Sequence, residues 1–139
     1  MGVVIQGKPI IPGEAEGEAL VSHEPLSFWG GYDHRTGEII DRRHPLSGAI
    51  AAGRVLAVPF TRGSSTTTAV LLEAVKTGTA PAAILTTGVD TFFALASIVA
   101  DELYRQPIPV IALTPEDFAT LKTGERLRVE RDGAIRRVV

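Results

Sequence analysis

The sequence predicts an α/β fold with β/β/α layers, built on a short parallel βαβαβ core with additional β-strands. Residues 1–60 contain short apolar or alternating runs separated by Gly, Pro and Asp, a pattern typical of strands and turns. From Arg54 onwards, apolar runs alternate with segments of helical period, as in parallel strands joined by helices. A chain of 139 residues without an evident linker or repeat suits a single domain, residues 1–139.

The first half is expected to supply the additional strands. The runs VVIQG, EGEALVS and GEIID predict short strands, and the prolines and glycines of PIIPGEAEGEAL favour turns over a helix. The only tryptophan, Trp29, stands beside a Gly-Gly pair. Tryptophan contributes mainly by burying its large surface, so we expect Trp29 to pack in a corner rather than contact a ligand. Asp33 and His34 are expected to shape a turn.

The second half begins with a strand and a helix. RVLAVPF is a β-branched and apolar run that predicts a buried strand. STTTAVLLEAVKTG predicts a helix, because apolar residues recur at helical spacing and Gly78 supplies a C-terminal stop.

Two further strands, with a helix between them, complete the predicted parallel core. PAAILTTG and IPVIAL predict buried strands, and VDTFFALASIVADELYRQP predicts the helix that joins them. Asp90 or Thr91 is expected to cap this helix, and Pro107 to end it. Right-handed crossovers are expected between the strands.

The C-terminal part predicts a short helix and a hairpin. TPEDFATLKTG starts with Thr114 as an N-cap and Pro115 in the first turn, and this helix is expected to stop at Gly124. ERLRVERDGAIRRVV has two alternating arms around Asp132-Gly133, a signal for a two-residue turn. We expect its charges to lie on an exposed face.

Composition excludes several functions for this chain. The net charge of −2 gives no general affinity for nucleic acid or for an anionic membrane, and no apolar run is long enough to span a bilayer. The chain has no cysteine and its three histidines have no metal-site spacing, so we expect it to bind no metal or other cofactor itself. MGVVIQGKPII lacks the pattern of a secretion signal, and a cytoplasmic location is expected.

The junction between the first parallel strand and its helix is the candidate site. Five hydroxyl residues, 64–68, follow Arg62 and Gly63 there. Loops after parallel strands lie where α/β folds bind ligands, and a helix N-terminus favours an anion. Arg62 is suited to a bidentate contact with a carboxylate or phosphate. One hydroxyl would suffice as a cap, and five lower helix propensity, so the pattern favours function over capping alone.

Other polar residues are candidates for supporting roles. His44 in RRHPLSG is interpreted either as part of a ligand-contacting loop or as part of a solvated basic turn. Thr86 and Thr87 end the second parallel strand, so they are expected beside the hydroxyl loop, where they are candidates to support the site or contact substrate. Asp90 is expected to be a helix cap rather than a catalytic acid. The chain contains neither a Walker loop nor a GxSxG elbow.

The blocks LSFWGGYDHRTGEIIDRRHPLSG, RGSS and LLEAVKTGTAPAAIL resemble the small, swivel-domain subunit of the aconitase X family. The resemblance covers nearly the whole chain and implies a swivelling domain that closes over a separate catalytic body. It implies that Ser64 is the general base and that Arg62 and Ser65 contact substrate. Gly63 and Thr66, in the same loop, are further candidates for substrate binding. Thr61 and the threonine run depart from the family pattern.

The resemblance also implies an activity that needs a second chain. It implies a hydro-lyase acting on a small hydroxy acid, with an iron–sulfur cluster or iron on a large, cysteine-containing subunit and an inactive isolated chain. Bacterial members of the family dehydrate cis-3-hydroxy-L-proline and archaeal members mevalonate 5-phosphate. The Arg- and Ala-rich composition weakly favours the first substrate. A non-catalytic anion-binding or partner-docking domain is the alternative, whereas no histidine is placed for a phosphohistidine carrier.

Overall fold

The computed structural model describes residues 4–62 and 66–138, which form an eight-stranded sheet, a two-stranded sheet and three helices. The strands are β1 (Val4–Gln6), β2 (Lys8–Ile11), β3 (Ala15–Val21), β4 (Tyr32–Asp33), β5 (Glu38–Ile39), β6 (Val55–Ala57), β7 (Ala83–Thr87), β8 (Val110–Leu113), β9 (Arg126–Val129) and β10 (Ala134–Val138). The helices are α1 (Thr66–Thr77), α2 (Thr91–Tyr104) and α3 (Pro115–Phe118). No helix within these described ranges is long and apolar enough to cross a membrane.

The large sheet contains the predicted parallel core. Its strand order is β1-β10-β9-β3-β6-β7-β8-β2, and β6, β7 and β8 are parallel neighbours joined by α1 and α2. The βαβαβ prediction is therefore confirmed. β3 adds a fourth parallel strand beside β6, and the remaining strands pair antiparallel. β4 and β5 form the separate two-stranded sheet.

The large sheet is curled, and both of its faces are buried. On one face Leu56 and Ile84 pack against Leu71 of α1 and Phe93 of α2. On the other face, Ile5 from edge strand β1 shares a hydrophobic cluster with residues of β6, β7 and β8. Strands so far apart in the sheet order can share a core only when the sheet curls over itself. The result is the predicted β/β/α layering.

The helix ends follow local signals in most places. The Asp90 carboxylate caps α2, Thr114 caps α3, and Gly78 follows α1 with a φ of +82°. The predicted ends of the other helices are wrong: α2 ends at Tyr104, where Arg105 adopts a left-handed φ of 55°, and α3 ends well before Gly124. α3 stops because the Thr120 hydroxyl and the Leu121 N–H donate to the carbonyls of Asp117 and Phe118 in a tight turn.

The C-terminal hairpin is present, but its turn is longer than the predicted two residues. β9 ends at Val129 and β10 starts at Ala134. The Glu130 N–H donates to the Ala134 carbonyl at 2.9 Å, and Gly133 has a φ of +90°. A glycine in this conformation closes a longer hairpin loop with a bulge, and the Asp-Gly pair serves that geometry equally well.

The aromatic corner exists, but Phe28 fills it instead of Trp29. Phe28 is fully buried, stacks on Tyr32 with ring centroids 4.9 Å apart, and meets Phe93 edge-on at 5.4 Å. Trp29 is 70% exposed, so its predicted packing role is wrong. The turn prediction holds for Asp33, whose carboxylate accepts the Arg35 N–H at 2.9 Å.

Candidate functional site

The predicted catalytic loop is described only at its two ends. Gly63, Ser64 and Ser65 lie outside the residues that the structure describes. Thr61 and Arg62 form the end that follows β6, and Thr66 is the first residue of α1. Thr66 takes part in an interaction of its own, and the Arg62 side chain is exposed.

Thr61 and Arg62 are held on two sides. The Thr61 N–H and hydroxyl donate to Oδ2 of Asp90, at 2.7 and 2.9 Å. On the other side Thr61 pairs with Leu26 in a parallel bridge, and the Arg62 N–H donates to the Leu26 carbonyl at 3.0 Å. The backbone that carries Arg62 is therefore fixed between α2 and the segment that follows β3.

A cavity of about 440 Å³ opens beside Arg62. It is lined by Glu24, Pro25, Ser27, Asp41, Arg43, His44 and Arg62. In the part of the chain that the structure describes, neither Arg43 nor Arg62 forms a salt bridge. Two guanidinium groups without a protein partner can bind a carboxylate or a phosphate of a ligand.

A second cavity, of about 480 Å³, lies over β3 and β9 and is a weaker candidate. The Glu16 carboxylate on its wall already pairs with Arg126 at 2.8 Å and Arg128 at 3.0 Å. Hydrogen bonds from these two guanidinium groups hold the pKa of Glu16 below its usual value, as expected for an ion pair on the sheet surface. We therefore assign the site to the cavity beside Arg62.

His44 braces a wall of this cavity. His44 is only 8% exposed, whereas Arg42, Arg43 and Pro45 of the same turn are exposed, so the turn is solvated but His44 points inward. The Leu46 N–H donates to Nδ1 at 3.1 Å, so the ring proton lies on Nε2 and points to the Glu24 carbonyl at 3.3 Å. Because both ring nitrogens bind backbone groups, His44 is placed to shape the wall.

Thr86 and Thr87 stand at the end of β7, beside the segment that leads to Arg62. The Thr87 N–H and hydroxyl donate to the Pro59 carbonyl at 3.1 and 3.2 Å. The fully buried Thr86 hydroxyl donates to the Gly88 carbonyl at 2.7 Å. Both hydroxyls therefore donate to backbone carbonyls, that of Thr87 in the segment after β6 and that of Thr86 in the turn after β7.

Sequence reasoning missed most of the cavity wall. Glu24, Ser27, Asp41 and Arg43 come from the irregular segment between β3 and β6, which has no periodic pattern to place it. The available signal was the basic run around His44, which contains Arg43. The contact between Asp90 and Thr61 was missed as well, because an N-cap residue in a sequence predicts the start of its own helix but no contact with a distant segment.

The residues of this chain do not fit an iron–sulfur cluster. The chain contains no cysteine, and residues 4–62 and 66–138 contain no group of three or more His, Asp or Glu placed to hold a metal ion. Thiolates are the usual ligands of such clusters.

Comparisons with known proteins agree on one relationship. Residues 4–137 match the family model of the aconitase X swivel domain. The chain is 48% identical over 136 residues to a cis-3-hydroxy-L-proline dehydratase of Pseudomonas aeruginosa, covering 93% of this chain and 23% of that protein. It is 38% identical over 128 residues to a phosphomevalonate dehydratase small subunit of Thermococcus onnurineus, covering 92% of each. The chain thus spans about a quarter of the first relative and most of the second.

A solved structure agrees with the sequence comparisons. The crystal structure of Thermococcus kodakaraensis aconitase X in its holo form is similar to this chain with a TM-score of 0.88 and 34% sequence identity. The match covers 99% of this chain and 100% of that one.

Proposed function

Because this chain belongs to the family of aconitase X swivel domains, we propose that it is the small subunit of a hydro-lyase that dehydrates a hydroxy acid. The observation that carries the proposal is the cavity beside Arg62, at the end of the parallel strands. The guanidinium groups of Arg43 and Arg62, which form no salt bridge with residues 4–62 or 66–138, suit the carboxylate that any hydroxy acid substrate must present.

The proposed reaction assigns the base to Ser64. Elimination takes a proton from the carbon next to the carboxylate and the hydroxyl from the neighbouring carbon, so that water leaves and a C=C bond forms. A serine hydroxyl is a weak base unless its alkoxide is stabilised. Ser64 stands two residues before α1 in the sequence, and the free N–H groups and dipole of a helix N-terminus favour a negative charge. Arg62, Gly63, Ser65 and Thr66 are the proposed substrate contacts.

We propose that a separate large subunit completes the enzyme and holds the iron–sulfur cluster or iron through its cysteines. The support is indirect: relatives of matching length are named small subunits, and the dehydratase of Pseudomonas aeruginosa is about four times longer than its matching region. The isolated chain is then expected to be inactive. A cytoplasmic location stays a prediction from the sequence.

The proposed substrate is cis-3-hydroxy-L-proline. The higher identity to a dehydratase of that name supports it, at 48% against 38% for a phosphomevalonate dehydratase small subunit. The cavity wall adds an electrostatic argument, because it combines Arg43 and Arg62 with Glu24 and Asp41. Groups of both signs suit a zwitterion with a ring ammonium and a carboxylate. The alternative substrate, mevalonate 5-phosphate, would bring a phosphate close to two carboxylates.

The test is turnover by the complex of this chain with its large subunit. The unaltered complex is expected to contain iron and to have a higher kcat/KM for cis-3-hydroxy-L-proline than for mevalonate 5-phosphate. Ser64→Ala should abolish turnover and leave assembly intact, whereas Ser47→Ala, an exposed serine away from the cavity wall, should leave both unchanged.

Three outcomes would contradict parts of the proposal. Failure to form a stable iron-containing complex would overturn the role as an enzyme subunit. Substantial turnover by the Ser64→Ala complex would remove Ser64 from the role of base. Preference for the phosphorylated substrate would overturn the substrate assignment alone.

A further inference from the structure

The Asp90 carboxylate connects two parts of the molecule that are distant in sequence. Asp90 is 7% exposed. Its Oδ1 accepts hydrogen bonds from the N–H groups of Phe92 and Phe93, at 3.0 and 3.1 Å, and so caps α2. Its Oδ2 accepts from the Thr61 N–H and hydroxyl, at 2.7 and 2.9 Å.

Helix capping explains only the first of these oxygens. An N-cap side chain needs one oxygen to satisfy free N–H groups at the start of a helix. Oδ2 instead binds both polar donors of Thr61, a residue of the segment between β6 and α1. Hydrogen bonds to an ionised carboxylate are shorter and stronger than neutral ones, and burial shields them from water.

The position of Thr61 gives this contact its importance. Thr61 directly precedes Arg62, which lines the cavity, and lies three residues before Ser64. On the opposite side, the segment makes backbone contacts with Leu26. The Asp90 carboxylate therefore links Arg62 to the buried start of α2, where Phe93 packs in the core.

We propose that Asp90 is a positioning residue for the dehydration reaction, acting through Thr61 to hold the backbone of Arg62 in place beside the cavity. This inference rests on the proposed function of the site. Small displacements of substrate-positioning groups have large kinetic effects, since about 1 Å of misplacement can cost about 100-fold in rate.

The variant that separates positioning from capping is Asp90→Asn. Asparagine is as good an N-cap as aspartate, and the N–H groups at the helix start favour its carbonyl oxygen. Its other side-chain atom is then an NH₂ donor, which cannot accept from the N–H or the hydroxyl of Thr61. Thr61→Val removes only the hydroxyl bond, and Thr61→Ser keeps it.

A matched control lies in the same helix. The buried Ser97 hydroxyl donates to the Ile108 carbonyl at 2.6 Å and accepts the Ile108 N–H at 2.8 Å. Ser97→Ala therefore removes a buried polar contact from α2 without touching Thr61. The melting temperature and the kcat of Ser97→Ala together show how much turnover is lost when α2 is destabilised without any change at Thr61.

The kinetic measurement uses each variant in complex with the large subunit. Asp90→Asn is expected to lower kcat by about 10- to 100-fold, beyond any loss in Ser97→Ala at matched folded fraction. Thr61→Val should show a smaller loss in kcat, and Thr61→Ser should restore it. Wild-type kcat in Asp90→Asn, or an equal loss in Ser97→Ala, would overturn the proposal.

Amide hydrogen exchange of the same complexes tests the contact without any activity. The Thr61 amide should exchange faster in Asp90→Asn, while the Phe92 and Phe93 amides keep their protection. Unchanged protection of Thr61 would overturn the positioning role. If the unaltered complex dehydrates neither substrate, the proposed function fails together with the positioning role of Asp90 in that reaction, whereas faster Thr61 exchange would still establish the physical link.

Discussion

Arg62 and Arg43 line the same cavity, but their backbones are held differently. Arg62 follows the buried Thr61 and donates its N–H to the Leu26 carbonyl, whereas the Arg43 N–H donates to the Asp41 carboxylate within a local turn. We therefore expect Arg62 to be the better-placed contact. Arg62→Ala should lower kcat/KM of the complex by about 10- to 100-fold, the range expected for losing hydrogen bonds to a charged group.

The control for Arg62 is Arg42, an exposed arginine next to Arg43 that does not line the cavity. Arg42→Ala should leave kcat/KM within about two-fold, because screened surface charges contribute little. Arg62→Lys should be intermediate, since lysine keeps the charge but not the planar fork. An equal loss in Arg42→Ala would mean that general positive charge, not a placed guanidinium, binds the substrate.

Tyr32 makes a separate prediction about stability. Its buried hydroxyl donates to the Thr79 carbonyl at 2.7 Å, and burial raises its pKa above the usual value. Tyr32→Phe should lower the free energy of unfolding by about 1 kcal/mol at neutral pH. Above about pH 10 the unfolded chain gives up this proton while the folded chain keeps it, so the stabilising contribution falls as pH rises.

Urea unfolding of the wild-type chain and Tyr32→Phe, at pH 7 and about pH 10.5, measures both effects. The difference in unfolding free energy should shrink at the higher pH. A difference that stays constant across this range would show that Tyr32 ionises alike in the folded and unfolded chains.

At the scale of elements, local signals predicted the middle of the fold well. The core from β6 to β8 could be predicted because its strands are apolar runs and its helices carry caps such as Asp90 and stops such as Gly78. The pairing of β3 with β6, and of β2 with β8, could not be predicted, because these strands are far apart in sequence. Likewise, Phe28 and Trp29 lie in a loop without a periodic pattern, so the sequence could not predict which of the two side chains is buried.

β3 shows how one strand joins two kinds of pairing. Residues 15–18 pair antiparallel with β9, and residues 19–21 pair parallel with β6. At Gly17, just before the parallel pairing begins, a Cβ would lie 2.8 Å from the Gly53 carbonyl oxygen. Gly17→Ala should therefore force the strands apart and destabilise the chain by about 1–3 kcal/mol.

The matched control is Glu18→Ala, an exposed position in the same strand. Substitutions at such positions usually change stability by less than about 0.5 kcal/mol. Thermal unfolding of both variants measures the difference, and Gly17→Ala is expected to have the lower melting temperature. Equal melting temperatures would show that the backbone at Gly17 has room for a side chain.

At the scale of the whole molecule, the site is an assembly of two regions. The junction after β6 could be placed from sequence, because loops after parallel strands share one edge of the sheet. The opposite cavity wall comes from the segment between β3 and β6, whose glycine-rich sequence predicts turns but not which part of the fold they contact. The sequence alone therefore predicted an anion site at Arg62 but not the groups that face it.

Three exposed apolar residues are sequence neighbours of residues packed near this site, and we expect the proposed large subunit to cover them. Trp29 is the only tryptophan of this chain and adjoins Phe28, whereas Phe60 and Val89 directly precede Thr61 and Asp90. Trp29→Ser should therefore weaken association with the large subunit by about 10-fold or more, as expected for an aromatic anchor. The control is Leu103→Ser. Leu103 is also exposed, but it lies near the C-terminal end of α2, about 18 Å from the start of that helix. Titration calorimetry gives both affinities, and an equal loss in the control would place the interface elsewhere.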